Sequence, residues 1–201
     1  RAQDHSRLAR LLNPRSVAVI GASDDPLRIG GRPIAYMLGQ GFEGKIFPVN
    51  PNRATVQGLP AYPSVEALPE TPDVAIVIVP ANLALGAIQS LAARGTAAAI
   101  LFSAGFAETG PQGAEAERRL VEAAHAHGMR LIGPNSLGVI NPRTHFYGSF
   151  SSAVEQGYPT AGHVAIISQS GAYGAHLMTM ASAAGIGLSA LVMTGNEADL
   201  T

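Results

Sequence analysis

Five short segments of this 201-residue chain carry residue types that could hold a phosphorylated ligand, and each follows an apolar run. The first is Gly21-Ala22-Ser23-Asp24-Asp25-Pro26, with Arg28-Ile29-Gly30-Gly31-Arg32-Pro33 behind it. A glycine-rich turn that opens a helix offers free backbone amides and the positive end of the helix dipole to a phosphate. It fits neither the G-x-G-x-x-G dinucleotide fingerprint, since Ser23 replaces the second glycine and the loop is longer, nor a Walker A pattern. The second segment is Val49-Asn50-Pro51-Asn52-Arg53. An NAD-binding domain usually has Asp or Glu there for the ribose hydroxyls. Asn50, with Arg53 three residues on, favours a ribose phosphate instead, as in a phosphorylated adenosine.

In the third segment, Val79-Pro80-Ala81-Asn82, Pro80 ends a strand and Asn82 is placed to cap the next helix, while Ala81 leaves room for an adenine or a pantetheine arm. The fourth, Ser103-Ala104-Gly105, is small enough for a ligand to approach the backbone, and Glu108 reads as a charge opening the next helix rather than as a base. The fifth is Gly133-Pro134-Asn135-Ser136-Leu137-Gly138, turn chemistry that exposes Asn135 and Ser136. Each segment taken singly is also explained by turn formation or packing. Their recurrence after successive strands points to a site, because open α/β sheets bind ligands beyond the carboxyl ends of their strands.

The strands are predicted from short β-branched and aliphatic runs at residues 16–20, 45–49, 74–79, 97–102, 130–132, 164–167 and 188–193. Nearly continuous apolar runs mark parallel strands covered on both faces. Ala-rich segments at 33–39, 83–94, 113–127 and 171–184 are predicted helices, with Pro33 suited to a first turn and Gly95, Gly128 and Gly185 at C-caps. The alternation implies a doubly wound, Rossmann-like parallel α/β sheet. Residues 141–162, rich in Gly, Ser, Pro and aromatics, follow neither period. We therefore expect one domain over residues 1–145, a linker over 146–162, and the start of a second domain over 163–201. The first residue is not Met and residues 196–201 stop within that second unit, so the chain reads as part of a longer one.

Composition narrows the function. With 47% hydrophobic and 13% charged residues the chain is too apolar to be disordered and long enough to bury a core. Fourteen acidic against 13 basic residues give a net charge of −1, which does not suit a nucleic-acid or anionic-membrane partner. The absence of cysteine excludes a disulfide scaffold, a cysteine zinc site and a thiol nucleophile. No run of about 18 uncharged apolar residues is present, residues 1–10 lack a signal-type apolar stretch, and a cytoplasmic location is expected.

In this order and spacing, the five loops resemble the CoA-binding domain of the nucleoside-diphosphate-forming acyl-CoA synthetases, the superfamily of the succinyl-CoA synthetase α subunit. The opening Leu12-Asn13-Pro14-Arg15-Ser16-Val17-Ala18-Val19-Ile20-Gly21-Ala22-Ser23 is similar to that group's, and the likeness runs from Leu11 onward. The segment His163-Val164-Ala165-Ile166-Ile167-Ser168-Gln169-Ser170-Gly171-Ala172 resembles the first strand and turn of the family's flavodoxin-like ligase domain. The resemblance implies CoA contacts at Gly21, Ala22, Ser23, Gly30, Arg32, Val49, Asn50, Arg53, Val79, Pro80, Ser103, Ala104, Gly105 and Asn135. It also implies that Ser170 and Gly171, at a helix N-terminus, hold a phosphate or phosphohistidine.

Family members join a carboxylic acid to CoA at the expense of ATP, through an acyl phosphate and a phosphohistidine. None of the six histidines stands in a matching motif, and His125 and His127 read as solvated charges at a helix C-terminus. The phosphohistidine, and an ATP-grasp domain or subunit carrying ATP, ADP and Mg²⁺, are therefore expected outside this chain, which alone would be inactive. No metal site is expected within it, and an oligomer is. Acetate, other short acids and an aromatic acid such as ferulate all stay open as substrates, as does fusion to an acetyltransferase. Two other classes stay open beside the synthetase: a non-catalytic CoA or NADP(H) sensor, and an NADP-dependent oxidoreductase.

Overall fold

A computed structural model describes residues 2–200, with side chains from residue 5 onward. Arg1 and Thr201, the outer ends of the two expected domains, lie outside the described residues.

The chain opens with α1 (Ala2–Leu12), an amphipathic helix whose Leu8, Leu11 and Leu12 face the core. The strand β1 (Ser16–Ile20) leads to α2 (Arg32–Gln40), with Pro33 in its first turn, and then to β2 (Lys45–Val49). A small hairpin follows, β3 (Thr55–Val56) and β4 (Leu59–Pro60). Next come β5 (Val74–Val77), α3 (Ala81–Ala93), β6 (Ala98–Leu101), α4 (Pro111–His125) and β7 (Arg130–Ile132). Five parallel strands form one sheet in the order β2-β1-β5-β6-β7. The order reverses between β1 and β5, which is where a doubly wound sheet opens a crevice beyond its carboxyl edge.

Alternation along each strand sorts the core into two layers. Val17, Val19, Ile76 and Ile100 pack with α2, while Ala18, Ile20, Val77 and Leu101 pack on the other face with α3 and α4. Alanine at 18, 75 and 99 lets the helices approach that second face closely. Gly95, Gly128 and Gly185 take φ values of 85°, 70° and 70° just past their helices, the left-handed conformation that a glycine C-cap supplies without strain.

The second sheet has the order β10-β11-β8-β9, built from β8 (Gly138–Asn141), β9 (Phe146–Ser149), β10 (Ala161–Ser168) and β11 (Leu188–Met193), with α5 (Gly171–Ala183) crossing between the parallel pair β10 and β11. Residues 138–141 and 146–149, on either side of the expected domain limit at 145, pair as antiparallel strands of the second sheet. Every residue of β8 and β9 is buried, so no alternation of polar and apolar side chains marks them. The two sheets share one core: Ile34 and Met37 of α2 belong to the same cluster as Ile140, Phe146 and Tyr147.

Candidate functional site

The loops after β1, β2, β5 and β6 converge on an open cleft of about 1140 Å³ at the β1/β5 switch point. The turn after β1 forms its floor. Gly21 has φ +86°, and a side chain there would lie 2.9 Å from the Ile78 carbonyl oxygen. Gly30 doubles back on it so closely that a Cβ would lie 2.3 Å from the Gly21 oxygen. The Val49 oxygen accepts from the amides of Gly21 and Ala22, and the Gly30 oxygen accepts from Ser23 N at 3.1 Å. Only glycine permits this folding-back, which presents Ala22 and Ser23 to the cleft.

Gln57, at the tip of the β3–β4 hairpin, fixes the same turn. Its Nε2 donates to the Ser23 and Gly31 oxygens at 3.0 and 2.9 Å, and its amide donates to Asp24 Oδ1 at 2.7 Å. Sequence reasoning missed this residue, because its importance comes from a hairpin that no pattern announced. Asn50 also has a structural task. Its Nδ2 donates to the Ala22 oxygen at 2.8 Å while its Oδ1 accepts from Asn52 N at 2.8 Å, so it ties the end of β2 to the turn after β1.

Three arginines border the cleft, each beside a carboxylate. Arg53 Nη1 lies 3.3 Å from Asp24 Oδ2 and Arg28 Nε lies 3.6 Å from Asp25 Oδ2. Both pairs are exposed and worth little, so either guanidinium can exchange its partner for a phosphate at small cost. Arg32 differs: its Nη1 donates to the Phe150 oxygen at 3.0 Å, its Nε lies 3.8 Å from Glu155, and its side chain is only 24% exposed. Arg32 lines the cleft but is mainly engaged with the second unit.

The far wall is Val79, Pro80, Ala81, Ser103 and Ala104. Pro80 is itself the N-cap of α3, so Asn82 lies inside the helix and does not cap it, contrary to expectation. Ser103 Oγ donates to the Val79 oxygen at 2.5 Å, joining the loops after β5 and β6. Val49 and Gly105 line neither this cleft nor the next. Val49 is buried and acts through its carbonyl, and Gly105 donates its amide to Glu108, whose carboxylate also accepts from Asn196 Nδ2. Burial pushes the Glu108 carboxyl up, but those hydrogen bonds outweigh it and hold it below its ordinary range. Leu27 and Ile29 add exposed apolar surface to the rim that sequence reasoning did not single out.

Asn135 is elsewhere. It joins Ser170 and Gly171 in a second cleft of about 350 Å³, between the loop after β7 and the N-terminus of α5. Asn135 takes φ +55°, and its amide donates to the Ser103 oxygen at 2.9 Å, which anchors this loop to the first cleft's wall. Ser170 is the N-cap of α5, its Oγ accepting from Tyr173 N at 3.2 Å. A side chain at Gly171 would meet Leu137 Cβ at 2.6 Å, so glycine lets the helix start approach the loop. Phe150 lines both clefts.

No histidine lines either cleft. His125 is not simply solvated: its Nε2 lies 2.9 Å from Asp199 Oδ1. Among the described residues no group of three or more metal-ligating side chains is gathered, and no helix is long and apolar enough to cross a membrane.

Comparison with known proteins agrees with this arrangement. Residues 15–142 match the CoA binding domain family, and residues 161–201 match the succinyl-CoA ligase like flavodoxin domain. The chain is 39% identical to the α subunit of acetate–CoA ligase [ADP-forming] II of Pyrococcus furiosus, over 94% of this chain and 40% of that one. It is 38% identical to a trans-feruloyl-CoA synthase from an unknown prokaryotic organism, over 96% of this chain and 28% of that one. Among solved structures it is similar to the dinucleotide forming acetyl-coenzyme A synthetase 1 of Ca. Korarchaeum cryptofilum in complex with phosphate and ADP. That match has a TM-score of 0.89 and 39% identity, over 96% of this chain and 40% of that one. The chain thus spans well under half the length of these relatives. It belongs to the CoA binding domain family, in the form found in nucleoside-diphosphate-forming acyl-CoA synthetases, where that domain runs on into the flavodoxin-like ligase domain.

Proposed function

We propose that this chain is the CoA-binding part of an ADP-forming acid–CoA ligase, which converts a carboxylic acid, CoA and ATP to acyl-CoA, ADP and phosphate. The observation that carries the reading is the convergence of the loops after β1, β2, β5 and β6 on one cleft at the switch point of the parallel sheet. In this reading the turn at Gly21, Ala22, Ser23 and Gly30, with the N-terminus of α2, receives the CoA phosphates. Arg53 supplies a guanidinium for the 3′-phosphate, and Arg28 is a further candidate that only the fold brought forward. Val79, Pro80, Ser103 and Ala104 form the wall along which the pantetheine arm lies. Its thiol end then points past Phe150 to the second cleft, where Asn135 and the α5 N-terminus at Ser170 and Gly171 would hold a phosphoryl group.

The phosphohistidine, the nucleotide and Mg²⁺ belong in this reading to other parts of the enzyme, an ATP-grasp domain or subunit among them, within a cytoplasmic oligomer. The chain by itself should bind CoA without turning over. Calorimetric titration with CoA, NADPH and NAD is the direct test. Saturable binding of CoA that neither nicotinamide nucleotide competes away is expected. Preference for NADPH, with no CoA competition, would instead make the protein an oxidoreductase or a redox sensor.

A further inference from the structure

One side chain belongs to both clefts. Phe150, in the loop leaving β9, lines the large cleft after β1 and β5 and also the smaller one in front of α5. Its ring lies against Phe102, at the end of β6, with centroids 4.7 Å apart and planes at 56°. The backbone beneath the ring is held separately. Arg32 Nη1 donates to the Phe150 oxygen at 3.0 Å and Arg32 Nε faces Glu155 at 3.8 Å. Tyr36 Oη donates to Glu155 at 2.7 Å and lies 3.3 Å from the Ser151 oxygen. The rest of the large cleft's wall at the strand ends is aliphatic or small, from Ile78, Val79 and Pro80 to Ala22, Ala81 and Ala104, and carries no other aromatic ring. Aromatic bulk is concentrated where the two clefts meet.

We propose that Phe150, backed by Phe102, sets the size of the acyl group that the junction accepts, so that small aliphatic acyl-CoAs are held and aromatic acyl-CoAs are refused. The inference rests on the reading that CoA occupies the large cleft with its thiol end toward α5. A ring at this place gives a methyl or methylene group dispersion contacts and removes it from water. Its freedom to give way to a larger group is limited by the Phe102 ring packed against it and by the Arg32 bond to its backbone oxygen. The polar residues Asn135, Gln169 and Ser170 line the second cleft beyond the ring, on the side assigned to the phosphoryl group.

The test is calorimetric titration of the wild-type chain and of Phe150→Leu, Phe150→Ala and Phe150→Trp with CoA, acetyl-CoA and benzoyl-CoA, alongside thermal melts. In the wild type, acetyl-CoA should bind about tenfold or more tightly than benzoyl-CoA, the scale on which apolar pockets sort ligands by bulk. That ratio should shrink in Phe150→Leu and Phe150→Ala and grow in Phe150→Trp. Should Phe150→Ala fail to fold, the Leu and Trp variants carry the comparison between them. Equal binding of both acyl-CoAs by the wild type, or a ratio that ignores the residue at 150 while CoA still binds, overturns the sieve and leaves the CoA reading standing. A wild-type chain that does not bind CoA overturns that reading and the sieve with it.

Discussion

Asn50 stands where an acidic residue would take ribose hydroxyls, and the same substitution that argued for a phosphorylated ribose has a second effect on the fold. A carboxylate could not donate to the Ala22 oxygen as Asn50 Nδ2 does. The variant Asn50→Asp should therefore lower stability by about 1–2 kcal/mol, the scale of a lost hydrogen bond, and loosen the turn that receives phosphate. Urea denaturation with parallel CoA titration measures both, and an Asp variant as stable and as tight as the wild type would show that the bond to Ala22 is dispensable. Arg53 is the contrasting case. Its pair with Asp24 is exposed, so Arg53→Ala should leave stability almost unchanged. CoA should bind about tenfold more weakly, with a smaller loss for dephospho-CoA, because a charge-assisted contact to the 3′-phosphate is worth about 1.5–3 kcal/mol where solvent does not screen it. Equal losses for the two ligands would remove Arg53 from the 3′-phosphate.

At the scale of elements, the site depends on strands that the chain's composition hides. The loops after β7 and β9 that form the second cleft are held by β8, which pairs with both β9 and β11. Ile140 sits between Tyr147 and Leu191 in that register and is fully buried. Ile140→Ala should cost about 2–5 kcal/mol through lost burial and the cavity left behind. The loss should be read equally by the intrinsic tyrosine fluorescence, to which Tyr147 of β9 contributes, and by the CoA cleft, because α2 shares one core with these strands. A variant that unfolds the second sheet while leaving CoA affinity intact would mean that the two sheets do not support each other. Burial pushes the Tyr147 phenol up to about 12, so it stays neutral throughout such a measurement at ordinary pH.

The whole molecule is drawn together by Asp199, which follows β11 yet binds the first unit. Its carboxylate accepts from Arg130 Nε and Nη2 at 3.0 Å, from the Leu131 amide at 2.7 Å, and faces His125. Burial pushes the Asp199 carboxyl up, but Arg130, Leu131 and His125 together hold it below the usual carboxylate range. A carboxyl lowered in the folded state stabilises fully above its unfolded value and loses that contribution as pH falls through the folded one. The wild type should therefore lose melting temperature as the pH drops below about 4, where an unfolded aspartate titrates. Asp199→Asn should start less stable near neutrality, by about 1–3 kcal/mol, and show a shallower acid decline. Parallel acid limbs for the two proteins would show that Asp199 is not the group responsible.

Most strands and helices were legible because each β-branched run and each Ala-rich segment repeats a local period, whereas α1 and the β3–β4 hairpin were not anticipated. The strands at 16–20, 45–49, 130–132 and 188–193 have the same limits in the structure as in the sequence. The cleft itself was legible because a parallel doubly wound sheet sends every strand's carboxyl end to one edge, so residues read from separate loops had to meet. Three things lay beyond that reach. The strands β8 and β9 are buried on both faces and carry no alternation. Gln57 acts through a two-residue hairpin, and Phe150 through its place between two sheets. Local chemistry can specify what a segment becomes, but which distant segments share a wall is set by how the two sheets pack, and no residue pattern within either one carries that information.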